Sequence, residues 1–222
     1  MVHTGTGGAE ARGDARNGSG SVELVRAAAI EATACFDALS NDEHTLSQIA
    51  EAGGVLAACL AQGGKVITCG NGGSMCDAIH LAEELTGRFR ADRRALGAVA
   101  LSDAGHLSCV GNDLGFDEVF ARGVEALGRN GDVLVAFTTS GTSANVVRAV
   151  SAARRMGMAA VAVTGRPGTA VEQEASLTIV TPGGRWADRV QELHTLVTHA
   201  LIEVVEHSLD IQDGSPADRS EW

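Results

Sequence analysis

The sequence predicts an α/β fold, a five-stranded parallel sheet flanked by helices in a three-layer sandwich. Three observations predict it. Short apolar runs alternate with helical patterns along most of the chain, as strand–helix–strand crossovers require. The run DVLVAFTTS is apolar without alternation, which suits a strand covered on both faces. Two strands run straight into loops of glycine or hydroxyl residues that open helices. Parallel sheets bind ligands in that place, beyond the carboxyl ends of their strands.

Each element follows in order. Residues 1–20, MVHTGTGGAEARGDARNGSG, are glycine-rich and polar without a period and read as a disordered leader. Residues 22–39 and 43–62 are helical, with no strand to cross to. They cover the sheet or pack on another subunit. KVITCG (65–70) is a buried strand, followed by a helix over 75–86. GAVALS (97–102) is the second strand, and FDEVFARGVEALG (116–128) is helical. DVLVAFTTS (132–140) is the third strand and SANVVRAVSAARRMG (143–157) the helix after it. AAVAVTG (159–165) and SLTIVT (176–181) are the last two strands. A long helix over 186–208 closes a single domain spanning 21–210, with no internal repeat or linker. Residues 211–222 read as a flexible tail.

Composition narrows the function. A chain of 222 residues with 45% hydrophobic content can build a full core. The net charge of −11 comes with no Lys/Arg cluster, which excludes a nucleic-acid backbone binder. Aromatics are 3% with no tyrosine, so base stacking is not the mode of action either. An anionic ligand must therefore be held by local donors. The five cysteines (Cys35, Cys59, Cys69, Cys76, Cys109) are odd in number and form no CxxC pair. They read as reduced thiols, each a small core residue, in a cytoplasmic protein. No apolar run is long enough for a membrane span, and the start lacks the pattern of a signal peptide.

Two loops are suited to a phosphate ester. GNGGS (70–74) joins a strand to a helix but is not GxGxxG, since Met75 stands where the third glycine belongs. Ser74 reads as an N-cap, with Asp77 completing a variant capping box. On its own, GNGGS reads equally well as a tight turn with a good cap. The second loop, TTSGTSAN (138–145), carries Thr138, Thr139, Ser140, Thr142 and Ser143 at a helix start, where free N–H groups add further donors. Its blander reading is a capping loop. The absence of GK[ST] argues against nucleoside triphosphate chemistry.

Two helices carry polar stripes. Asp77, His80, Glu84 and Arg88 recur at spacings of three and four, opposite Ala78, Leu81, Ala82 and Leu85. Gln191, Thr195 and His199 are four apart on the last helix, with Asp188 and Glu206 beside them as solvated groups. Each stripe alone reads as an exposed polar face. Joined, they bring His80, Glu84, Gln191 and His199 above the phosphate loops. Glu84 is then a candidate general base and His199 a proton carrier, because imidazole titrates near neutrality. Two imidazoles, a carboxylate and an amide also form a candidate set for a divalent metal such as zinc. His3, His44, His106, His194 and His207 have no such partners in the sequence.

GNGGSMCDAIHLAEELTGR, SDAGHLSCVGNDLGFDEVF, TTSGTSANV and ADRVQELH, with a second histidine beyond it, resemble the bacterial phosphoheptose isomerases of the sugar-isomerase (SIS) fold. The resemblance runs from about residue 22 to residue 207. It implies a SIS-type sandwich and conversion of D-sedoheptulose 7-phosphate to D-glycero-D-manno-heptose 7-phosphate. It implies substrate contacts at Asn71, Gly72, Gly73, Glu84, Asn112, Asp113, Thr138, Thr139, Ser140, Ser143 and Gln191. It also implies zinc on His80, Glu84, Gln191 and His199, with Glu84 and His199 as the catalytic pair. The family is homotetrameric, with sites in clefts between subunits. Two stretches depart from its pattern: Met75 replaces a common histidine, and TPGGRW replaces a PHFGYAD-like approach. Both bear on the sugar end of the pocket. The competing reading is a non-catalytic SIS protein that binds sugar phosphates or associates with a replication initiator. It needs the loops but not the quartet.

Overall fold

The structure, a computed structural model, describes residues 15–90 and 92–211. Two helices come first, α1 (Ala15–Ser40) and α2 (Glu43–Ala61). There follow β1 (Val66–Gly70), α3 (Gly73–Thr86), β2 (Ala98–Ala100), α4 (Ala104–Asp113), a 3-10 turn (Phe116–Glu118), α5 (Val119–Leu127) and β3 (Val133–Thr138). The chain ends with α6 (Ala144–Arg155), β4 (Ala159–Thr164), α7 (Ala170–Glu174), β5 (Leu177–Val180) and α8 (Ala187–Ser208). All five strands are parallel, in the order β2-β1-β3-β4-β5.

Successive side chains of a strand point to opposite faces, and this period of two sorts the core into two layers. Val133, Val135 and Phe137 of β3 and Val161 and Val163 of β4 face α2, α3 and α8. Leu134, Ala136, Ala160 and Ala162 face α5 and α6. Both faces are covered, so the strands read as unbroken apolar runs. Helix α8 is seated by Leu193, Val197, Leu201, Ile202 and Val205, all buried. Each such side chain contributes roughly 1.5–3 kcal/mol of burial, enough to fix how the polar stripe of α8 is aimed.

Several expectations are corrected. Residues 15–20, assigned above to the leader, belong to α1, and 1–14 lie outside the described residues. Ile211, at the start of the expected tail, donates its N–H to the Glu206 carbonyl at 2.9 Å, and 212–222 lie outside the described residues. Helices α4 and α7 were not anticipated. In α4 only Val110 is buried, so no apolar period marked it. Cys59 and Cys69 are buried as expected, but Cys76 and Cys109 are exposed. No helix among the described residues is long and apolar enough to cross a membrane.

Candidate functional site

The strand order reverses between β1 and β3, so the loops after these two neighbouring strands leave the sheet side by side. This is the topological switch point, where open α/β sheets bind ligands. The two loops are tied together. Asn71 Nδ2 donates to Asn145 Oδ1 at 2.8 Å, and Asn145 Nδ2 returns a bond to Asn71 Oδ1 at 2.9 Å. Asn145 is buried and was not singled out from the sequence, although it ends the TTSGTSAN loop.

The entry to α3 differs from expectation. Its N-cap is Gly72, at φ 56 and ψ −122, a conformation open to glycine and costly for other residues. That turn starts the helix early and places Ser74 inside the first turn, buried and not capping. Asp77 makes no capping box; its Oδ1 accepts from Thr195 Oγ1 at 3.2 Å. Ser143 caps α6 by position without a side-chain bond, so its hydroxyl is not consumed by capping. Thr138 and Ser140 accept from the Gly141 and Thr142 N–H groups, which shapes the loop. A small cleft between the two loops is lined by Asn71, Ser74, Phe137, Thr138, Thr139 and Ser143.

Helices α3 and α8 meet along their polar stripes in three successive contacts. At the first, a Cβ on Gly73 would lie 2.3 Å from Gln191 Nε2, so the Gln191 amide occupies the space that glycine leaves. At the second, Asp77 meets Thr195. At the third, His80 Nε2 lies 3.4 Å from His199 Nε2 and 3.3 Å from Glu84 Oε1. The two imidazole rings are edge to face, 5.0 Å apart. Phe89 packs against the His199 ring from another side at 5.6 Å.

His80, Glu84 and His199 are half-buried, and one ligand atom from each lies within 4.8 Å of the others. Two imidazoles and a carboxylate are a donor set of the kind that holds a divalent metal, and the two separations from His80 Nε2, 3.3 and 3.4 Å, fit a tetrahedral zinc site. Bonds of ~2.0–2.1 Å in a tetrahedron put neighbouring ligand atoms roughly 3.3–3.4 Å apart. Asn112 and Asp113 stand apart from this cluster in the single chain. They end α4, exposed, and bond each other at 2.7 Å.

Helices α3 and α8 carry further buried polar groups. Burial pushes the Asp77 carboxyl up to about 6, against the Thr195 hydrogen bond and the His80 charge, which pull it down. Asp77 Oδ2 has no hydrogen-bond partner. His194, fully buried beside Phe137, has no ring nitrogen in a well-formed hydrogen bond, and burial pulls its pKa down to about 4 against a smaller upward pull from the Thr164 backbone. Glu206 was expected to be solvated. Instead its Oε1 accepts from Arg93 Nε at 2.6 Å, with the arginine side chain 2% exposed. At the departures from the family pattern, Met75 packs into both core layers. Trp186 stands half-exposed at the start of α8 with the Arg185 guanidinium over its ring at 4.6 Å.

Comparison with known proteins comes to the same place. A family model described as SIS domain matches residues 30–165. The phosphoheptose isomerase of Enterobacter sp. strain 638 is 48% identical over 187 residues, covering 84% of this chain and 97% of that protein. The structure of a phosphoheptose isomerase from Neisseria gonorrhoeae superposes with a TM-score of 0.77 at 39% identity, covering 83% of this chain and 98% of that one. One from Francisella tularensis gives a TM-score of 0.79 at 32% identity, covering 84% and 98%.

Proposed function

The chain belongs to the phosphoheptose isomerases of the SIS-domain family, and from that premise we propose that it converts D-sedoheptulose 7-phosphate to D-glycero-D-manno-heptose 7-phosphate. The product is the precursor of nucleotide-activated heptose, and the enzyme works in the cytoplasm as a single SIS domain running from α1 to the end of α8. The observation that supports the reading best is the convergence of His80, Glu84 and His199 where the polar stripes of α3 and α8 meet.

The open-chain ketose binds with its phosphate on the hydroxyls of Thr138, Thr139, Ser140 and Ser143 and the free N–H groups opening α6. Asn71, Gly72, Gly73, Asn112, Asp113 and Gln191 line the sugar. The Glu84 carboxylate removes a proton from C1, and the electrons move to form a cis-enediol. Glu84 returns the proton to C2, giving the aldose, while His199 moves the hydroxyl proton between O1 and O2. Base catalysis of this kind contributes ~10²–10⁴-fold. His80, Glu84 and His199, with Gln191 as a fourth donor, would hold zinc. When bound, such an ion stabilises negative charge on enediolate oxygens.

The protein acts as a homotetramer with its sites in clefts between subunits. Support comes from α1, whose Leu24, Val25 and Ile30 are 74%, 70% and 64% exposed in the single chain, an apolar surface that a second copy would cover. Such an assembly also gives Asn112 and Asp113 a neighbouring site to reach.

The test is incubation with sedoheptulose 7-phosphate, with and without chelator, followed by NMR of the sugar. Aldose signals are expected, and fewer of them after chelation. Binding of the sugar phosphate with no aldose formed would instead favour the non-catalytic SIS reading.

A further inference from the structure

We propose that Arg93, which touches no reacting atom, is a positioning residue for the Glu84–His199 pair. The inference rests on the function proposed above and names how this chain sets the distance between its two catalytic groups. Helix α3 carries Glu84 in its last turn and has no basic residue there to meet its final carbonyls. Arg93 meets them from beyond the helix end. Its Nη2 donates to the Glu84 carbonyl at 2.7 Å, and its Nη1 donates to the Leu85 carbonyl at 3.0 Å. Its Nε donates to Glu206 Oε1 on α8 at 2.6 Å. One guanidinium therefore joins the backbone of the catalytic base to the helix that carries the catalytic imidazole.

The neighbours of Arg93 act along the same line. Phe89 packs on the His199 ring, and Arg90 pairs with Glu203 at 2.5 Å. His199, Glu203 and Glu206 are four and three apart and so share one face of α8. The segment leaving α3 is laid along the face that presents His199. Arg93 is its most buried anchor among these contacts, and its planar fork is what lets it reach the Glu206 carboxylate and the Glu84 and Leu85 carbonyls in separate directions, with the Gly87 and Arg94 carbonyls also in reach of Nη1.

Two variants of the full-length protein test this. Arg93→Lys keeps a positive charge against Glu206 but offers one compact ammonium. The double variant Arg93→Met with Glu206→Leu removes the pair without leaving a buried charge unpaired, which protects folding. The readouts are kcat and KM for sedoheptulose 7-phosphate, zinc affinity by competition with a chromophoric chelator, inhibition by inorganic phosphate, and circular dichroism.

Misplacing supporting residues around a metal site typically costs ~10–100-fold in affinity or activity. We expect losses of about that size in kcat and in zinc affinity for the double variant, with Arg93→Lys between it and wild type. Phosphate inhibition should stay within about twofold, because the hydroxyl loop opens a different helix. A folded double variant with wild-type kcat and zinc affinity would overturn the inference, and so would phosphate inhibition weakening in step with kcat. If the double variant does not fold, Arg93→Lys decides on the same readouts. Wild-type protein that neither isomerises the sugar nor binds zinc would overturn the proposed function itself, and this inference with it.

Discussion

Asn71 and Asn145 hold each other through two reciprocal hydrogen bonds of 2.8 and 2.9 Å, and this pair joins the loops after β1 and β3. Each amide uses one donor and one acceptor on the other, so neither loop can shift alone. Asn145→Asp replaces a donor by a second acceptor, leaves Asn71 Oδ1 unpaired and adds a negative charge beside the phosphate loop. A buried group left unpaired costs about 1–3 kcal/mol. Weakening of inorganic phosphate inhibition by roughly 5–100-fold is expected, with kcat at saturation changed much less. Unchanged phosphate inhibition would mean that the pair does not govern the loops.

Glu84→Gln preserves size and removes the base. A fall in kcat of about 10²–10⁴-fold is expected, with phosphate inhibition nearly unchanged because the hydroxyl loop is intact. Exchange of the C1 proton with deuterated solvent, followed by NMR, should stop in the same variant. Turnover near the wild-type rate would remove Glu84 from the reaction.

The sheet and its helices were legible because strands covered on both faces leave an unmistakable apolar run, and α8 because its apolar and polar stripes are both complete. Helix α4 was not, because glycines interrupt SDAGHLSCVGND and it buries only Val110. In the site, the two stripes could be read from spacing, but spacing alone does not say that they face each other; joining them was a hypothesis, which the family resemblance then favoured. The Arg93–Glu206 pair spans 113 positions, so no local spacing marks it; Glu206 was read as a solvated group and Arg93 was not singled out. Likewise Ser74 looked like a cap because Ser is a good one. The positive φ of Gly72 decides the helix start instead, and a backbone angle is not written in residue type alone.

Gly73→Ala separates stability from function. The residue is helical, so alanine should favour the fold by up to about 1 kcal/mol. The new methyl, however, would sit 2.3 Å from Gln191 Nε2 and must push that side chain aside. The melting temperature should hold or rise, while kcat/KM falls by roughly tenfold or more and zinc affinity falls with it. A variant as active as wild type would show that the Gln191 amide has no part in the site.

Asp77 and His194 should give the metal-free protein two opposed pH dependences. Well below its ordinary value of 3.8 the Asp77 carboxyl is protonated whether the chain is folded or not. Between its ordinary value of 3.8 and about 6 the unfolded chain ionises while the folded one keeps its proton, so stability falls as pH rises and the loss is complete above about 6. His194 does the reverse. Above 6.5 it is neutral in both states. Between 6.5 and about 4 the unfolded chain takes up a proton that the buried ring refuses, so stability falls as pH drops. Each effect is on the order of 2–3 kcal/mol, and over the shared window they largely cancel. Urea midpoints from pH 4 to 7 should therefore vary little with these two groups in the wild type. Asp77→Asn, left with the histidine, should gain stability as pH rises, with a net advantage over wild type above pH 6. His194→Leu, left with the carboxyl, should lose stability over the same rise, while being more stable than wild type near pH 4. Measured as differences from wild type, which cancel the other titrating carboxyls, slope changes of the same sign in the two variants would mean that at least one of these groups carries no penalty for its burial.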